Sequence, residues 1–380
     1  MMKLSQKIVF KLALGMMIAV LAAIPIFIHA IAKAAGSKTA AAAAKPAGAT
    51  VKWIMESGPP SNLKVTTPHK QFFLLEGYCH LAAIKNGKIE IYQYAAESQW
   101  TKVQTLEVPE VAFTTCIVKD LNNDRIPEII GGTTEPGFIN IYYRNQERQW
   151  TTKSEAKYIW STVVKMTTFH VAQNPNPLLA VQNKEGFLYV LKPSETALDL
   201  IWKSPAAWKP LDNLVAVNLD NNADDELLAI YKNGGIAILR TVKNALQPVW
   251  KYFPWGKILT AGYHDWAHNH KTELILPTTQ RMVCIIKAKN RSFQASQKPY
   301  DYVIERIYFV KAHNQKMMIT TDTSGKTHLA EYSAKGKSHW KEKQIFSTGR
   351  ILEMFVKNSE EILLVNQGLQ LITLKIFHKE

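Results

Sequence analysis

Residues 115 to 144, TCIVKDLNNDRIPEIIGGTTEPGFINIYYR, run as an apolar stretch, an acidic loop, a second apolar stretch, a turn and a third stretch. Residues 214 to 240, LVAVNLDNNADDELLAIYKNGGIAILR, repeat that phrase, and weaker copies lie on either side. A fixed period of this length decides architecture, because a unit that cannot bury its own apolar faces must stack on its neighbours. Aligning the residue that opens each second stretch gives His80, Glu128, Pro177, Glu226, Glu273, Lys316 and Glu361, spaced 43 to 49 residues apart. A glycine precedes the third stretch at Gly87, Gly137, Gly186, Gly235, Gly325 and Gly368. A tryptophan opens a fourth at Trp53, Trp100, Trp150, Trp202, Trp250 and Trp340, with Phe293 in the remaining copy. Three markers share one beat.

Third stretches such as KIEIYQY and FINIYY are rich in β-branched and aromatic residues and have no helical period. Four short antiparallel strands in about 40–50 residues make one propeller blade. The chain therefore reads as all-β, a seven-bladed β-propeller over residues 51–380, closed into a ring that leaves no long sheet edge. The seventh copy ends at LQLITLKI without a fourth strand, and VKWIME at 51–56 is a strand with no blade before it. The N-terminal strand is expected to complete the last blade.

Ahead of the ring lie a basic tail (1–11), an uncharged run at 12–32, and a low-complexity Ala/Gly/Pro/Lys spacer at 33–50. Twenty-one residues in a helix span a bilayer core of about 30 Å. That length favours one transmembrane anchor over a cleaved signal peptide, whose apolar region is about 7–15 residues. The alternative is secretion after cleavage near Ala32-Lys33-Ala34. Three lysines before the run favour the N-terminus inside, which places the propeller at the cell membrane on the extracytoplasmic side. Formal charge is +15, and the part after residue 50 still carries 40 basic against 31 acidic residues. Such a surface suits anionic partners, cell-wall polysaccharide or membrane among them, and also serves plain solubility. No nucleic-acid partner is expected. Cys79, Cys116 and Cys284 are far apart in apolar stretches and read as buried free thiols.

Between first and second strands, the second copy sets oxygen-bearing side chains at Asp120, Asn122, Asp124 and Glu128, and the fourth at Asn218, Asp220, Asn222 and Glu226. Ca2+ takes about 6–8 oxygens, and alternate residues of a curled loop can converge on one point. An Asx-rich turn bonding its own backbone is the rival reading. With DxNxDxxxE at 120–128 and NxDxNxxxE at 218–226, the sequence resembles the FG-GAP/VCBS repeat family, the propeller repeats also found at the head of integrin α-chains. That resemblance implies structural calcium in these two loops. The family's usual glycine at the sixth position is Arg125 in one copy and Ala223 in the other, and the fifth copy keeps only Asp265, Asn269 and Glu273.

The junctions between blades lie on the face opposite the acidic loops. Three carry tryptophan, Trp160, Trp208 and Trp255, with Lys209 and Lys257 close by and Tyr302 at a corresponding place. Such a rim could stack on sugar rings or hold an anionic polymer, or wedge between blades as packing. No nucleophile elbow, HExxH pair or phosphate loop is present. His264, His268 and His270 cluster beside Asp265, where a solvated surface group is favoured over a metal site. The chain is expected to be a non-enzymatic cell-surface module binding protein or polysaccharide. The alternative is a propeller enzyme, lyase or glycosidase, working in the central channel.

Overall fold

The computed structural model describes residues 51–57, 60–67, 69–95, 99–152, 157–194, 197–220, 222–243, 245–264, 272–290, 292–312, 315–332, 340–357 and 361–378. The expected anchor at 12–32, the spacer at 33–50 and the histidine cluster beyond His264 lie outside them. Among the described residues no helix is long and apolar enough to cross a membrane.

The described chain forms seven antiparallel sheets. Blade one contains β2 (Lys70–Leu75), β3 (Tyr78–Lys85), β4 (Lys88–Tyr94) and β5 (Trp100–Leu106), paired in that order. Blade two contains β6 (Phe113–Lys119), β7 (Glu128–Thr133) and β8 (Phe138–Arg144), with its outer strand split into β9 (Trp150–Thr152) and β10 (Lys157–Tyr158). Blades three to six repeat the four-strand meander through β26 (Trp340–Ser347). In blade seven the order is β1-β29-β28-β27, so β1 (Val51–Ser57) lies beside the closing strand β29 (Leu371–His378). Trp53 is buried there against Ile362, Leu364, Ile372 and Leu374, and Lys375 pairs with Glu56 at 2.6 Å. The expected closure is what the chain does.

Burial explains the ring. Second strands are buried on both faces, as in Glu128–Thr133 and Leu178–Asn183. Each apolar cluster joins two consecutive blades; Ile139 and Ile141 of blade two, for example, meet Leu179 and Val181 of blade three. Phe72 and Leu81 of blade one meet Val365 and Leu369 of blade seven, which leaves no end blade. Hydrophobic burial is the main favourable term in folding, and here it is collected between sheets.

The glycine marker has a steric cause. Each junction runs against the turn joining second and third strands of the blade before it: Phe113 N–H donates to Gly87 O, Ile159 to Gly137 O and Trp208 to Gly186 O, at 2.8, 3.0 and 2.8 Å. A Cβ on Gly137 would lie 1.9 Å from Ser161 O, and both Gly137 and Gly186 have positive φ. Only glycine fits. In blade four the positive φ belongs to Gly234 rather than Gly235, and in blade seven to Leu369 rather than Gly368.

The tryptophan marker holds in part. Trp100, Trp150 and Trp340 open their strands, but Trp202 and Trp250 come late in β14 (Leu198–Lys203) and β18 (Ala245–Tyr252). Buried Leu198 opens β14, and buried Leu246 follows Ala245 at the start of β18.

Candidate functional site

The acidic loops are built alike at one point. Leu121 and Leu219, the second residue of each, plug the core, and their N–H groups donate to Glu128 Oε2 at 2.6 Å and Glu226 Oε2 at 2.9 Å. Both glutamates are 1% exposed. A buried N–H needs an acceptor, so the last acid of the motif clasps the loop to the strand.

Beyond that the loops diverge. In blade two Asp120 accepts the N–H groups of Asn122, Asn123 and Arg125, and Asp124 accepts that of Ile126 and the side-chain amide of Asn122. Arg125, at the sixth position of the loop, has φ 68° and is held there by its bond to Asp120. No basic side chain pairs with Asp120, Asp124 or Glu128 among the described residues. Burial, then the charges of Asp124 and Asp120, raise the Glu128 carboxyl to about 7.

In blade four Arg240 enters the loop. Its Nη2 donates to Asp220 Oδ2 at 2.6 Å and to Glu226 Oε1 at 2.9 Å, while Nε donates to the same Glu226 oxygen. Asp224 and the adjacent Asp225 accept N–H groups of Ala172 and His170 from blade three. Asn218 gives its amide to Asn222 O and leaves its buried Oδ1 without a partner, and Asn222 Oδ1 accepts Asp224 N–H. Arg240 supplies the positive charge these acids need, so the donors of this loop do not fit a metal. Blade two has acids and no cation, and fits better. As placed, no three His, Cys, Asp or Glu side chains among the described residues converge closely enough to hold an ion.

On the opposite face, first strands enter and the turns between second and third strands lie. Trp160 is 77% exposed, stacked on Tyr158 with centroids 5.5 Å apart, and Tyr158 in turn meets Phe138 at 4.5 Å. Its φ is 58°, a left-handed backbone that costs on the order of 1–3 kcal/mol in a non-glycine residue. Trp255 is 69% exposed. Only Trp208 acts as packing, half-buried against Leu211 and Leu239. It also walls a cavity of about 310 Å³ with Lys209, Tyr231, Lys251 and Phe253. Lys209 and Lys257 are exposed, and Lys257 pairs with Asp212 at 3.2 Å. Tyr302 does not belong to this rim as a free ring: it stacks on His328 at 3.9 Å, and its hydroxyl meets Thr320 Oγ1 at 2.6 Å. His328 itself lies between Asp322 and Glu342.

Two exposed aromatics, Tyr158 and Phe253, went unmarked at the sequence level. The signal was spacing. Tyr158-Ile159-Trp160 and Phe253-Pro254-Trp255 place an aromatic two residues before each exposed tryptophan where the chain leaves its strand, and in the first of them the two rings stack. The third junction has Ala206 in that place, where the cavity opens.

Fold and face together define a seven-bladed β-propeller with an exposed aromatic and basic side. No family model matches the chain, and no curated protein matches it. Among solved structures, the crystal structure of BBS1N in complex with ARL6DN, soaked with lead, matches at a TM-score of 0.58 and 10% identity. That match covers 86% of this chain and 98% of that one. The same complex soaked with mercury gives 0.57 and 11%, over 86% and 97%. Likeness at this identity establishes the shared fold.

Proposed function

We propose that this chain is a non-enzymatic binding or scaffolding propeller whose partner docks on the aromatic, basic face. The observation that carries the reading is Trp160, Tyr158, Trp255 and Phe253 held in solvent on one side of the disc, one of them on strained backbone. Large exposed aromatics on a rigid scaffold mark interaction surfaces. The solved propellers of like fold were crystallised with a protein partner, ARL6DN, which supports a protein as occupant. Lysines among the aromatics support a second reading, an anionic wall polysaccharide.

The apolar run at 12–32 and the spacer at 33–50 support tethering at a membrane, with the propeller on the extracytoplasmic side. The repeat pattern supports kinship with FG-GAP/VCBS propellers, and the blade-two loop supports one structural Ca2+. The lyase or glycosidase alternative would need two carboxylates set about a substrate; in the cavity of about 570 Å³ on the junction face, Asp212 is the one carboxylate of the lining and is paired with Lys257.

A photo-cross-linking residue placed at Trp160 or Phe253 in intact cells should give discrete adducts, and one at Ile345, exposed on β26, should not. An acidic-glycan array probed with the chain and with its Trp160→Ala variant separates the two readings. Absence of adducts at both aromatic positions together with array binding indifferent to Trp160→Ala would sink the assignment of this face.

A further inference from the structure

The mouth of the central channel on the junction face is a cavity of about 570 Å³. Four consecutive blades contribute to it. His69 comes from the segment entering blade one, Thr114 from blade two, Lys165 and Lys184 from blade three, and Asp212 and Lys232 from blade four. The backbone has a reason to aim these residues here. The first strands of blades two, three and four, the last two being β11 (Val163–Phe169) and β15 (Leu211–Val217), each shift register at their second residue. Such a bulge re-aims side chains; blades six and seven carry it as well, at Glu305 and Leu352, so it is a feature of the repeat that this cavity uses. The bulged residues, Thr114, Val164 and Asp212, all line the cavity. Lys184 and Lys232 are fixed by backbone bonds to Thr162 O and Pro210 O, at 2.8 and 3.1 Å.

The charges do not cancel. Asp212 is the only acid of the lining and is held by Lys257 from the next junction. None of Lys165, Lys184 and Lys232 forms an ion pair among the described residues. Several lysines elsewhere do find acids, as Lys88 does in Glu107 and Lys343 in Glu331. Like charges drawn into one concave, partly dry space raise one another's energy. Burial and the charge of Lys232 hold the Lys165 ammonium below its ordinary value, though Asp212 opposes them, and burial and Lys165 do the same to the His69 imidazole. A bound anion would remove the conflict.

The geometry points to the channel mouth as a binding site for a small multivalent oxyanion, bearing two or more phosphate or carboxylate groups. Three ammonium groups from different elements surround the space, and neutral His69 and Thr114 add polar contacts. None of the exposed aromatics Tyr158, Trp160, Phe253 and Trp255 lines this cavity, so the site is distinct from the aromatic patch. A pocket of this size holds a ligand larger than a single phosphate. Lysine binds such groups as a point charge, with no demand for one planar geometry.

Titration calorimetry of the full-length chain, at ionic strength held constant with sodium chloride, tests this with two probes, inorganic pyrophosphate and citrate. At least one is expected to bind saturably, one per chain, and the stronger of the two tells phosphate from carboxylate. Lys165→Met and Lys232→Met should each weaken it by about tenfold, the usual scale of one charge-assisted bond. Lys251→Met, in the neighbouring cavity, should leave it unchanged. Both lysine variants should melt no lower than the parent, since each relieves repulsion; if either melts lower, Lys165→Arg and Lys232→Arg must keep the affinity for the proposal to stand. Trp160→Ala should bind the anions normally, which separates this site from the aromatic surface. No saturable heat with either probe, or equal affinity in the Lys165→Met/Lys232→Met double variant, would overturn it.

Discussion

Glu128 and Glu226 occupy one place in blades two and four. Each opens a second strand, and each takes the N–H of a buried leucine. Across the sheet their neighbours differ. The pairing of Leu227 with Leu239 sets Glu226 opposite Arg240, and that of Ile129 with Tyr142 sets Glu128 opposite Tyr143. Blades five and seven also set a lysine opposite in register, Lys287 to Glu273 and Lys375 to Glu361, with Lys375 paired to Glu56 and Glu361 to Lys357. Blade two is therefore the exception, an acidic loop without its built-in cation. The comparison teaches that one written motif can be a closed ion-pair network or a loop whose acids are held by backbone N–H groups without a cation. Which it becomes is decided by a residue on another strand.

The largest effect expected from this difference is at Arg240. Arg240→Met leaves Glu226, 1% exposed, charged and unpaired, and frees Asp220 as well. Removing one partner of a buried pair costs about 3–5 kcal/mol. Urea unfolding of parent and variant measures it. A loss below about 1 kcal/mol, the range of surface pairs, would mean that the arginine decorates the loop and does not close it.

The same amide substitution should have opposite consequences in the two blades. Burial lifts the Glu128 carboxyl to about 7 from its ordinary 4.5. Its folded value thus lies above its unfolded one, so its contribution to stability is full below about 4.5 and fades as pH rises through about 7. The span is up to about 3 kcal/mol by linkage. With a chelator present, Glu128→Gln should flatten that fall and melt above the parent at pH 8. Glu226 is also raised by burial, but Leu219 N–H and Arg240 pull it back. Glu226→Gln loses the charge pair and should melt below the parent at pH 8. Shifts of one sign in both variants would erase the distinction between the loops.

Much of the ring was legible because steric necessity recurs at every blade. Gly137 and Gly186 are forced by a junction pressing on a turn, so their spacing reports the fold directly. Trp53 was legible through an absence, a last blade short of one strand. Trp202 and Trp250 misled because they keep the period only approximately; the buried residue at the start of those strands is leucine, which carries no signal among so many leucines. At the site, residue type was legible and partnership was not. Trp160 and Trp208 look identical in sequence, yet one is held in solvent on left-handed backbone and the other leans on Leu211 and Leu239. Arg240 stands fourteen residues beyond Glu226, and only the strand register brings them together. The lysines of the channel mouth are further apart still.

The smallest expected effect concerns calcium, and it bears on the open loop alone. A cation entering blade two must meet Asp120, Asp124 and an ionised Glu128, so its binding releases a proton from a group that ionises near 7. Affinity should consequently rise between pH 5.5 and pH 8, the reverse of the parent's own stability trend over that range. At calcium tenfold above Kd the gain is about 1.4 kcal/mol, read as a rise in melting temperature over chelator at pH 8 that shrinks at pH 5.5. Asp120→Asn should abolish it. Asp220→Asn, in the loop that Arg240 already fills, should leave the calcium-dependent shift intact while lowering the baseline. A shift that survives Asp120→Asn and vanishes with Asp220→Asn would invert the assignment. It would mean that Arg240 swings out to admit the ion, and that the uncompensated acids of blade two are held by their backbone bonds alone.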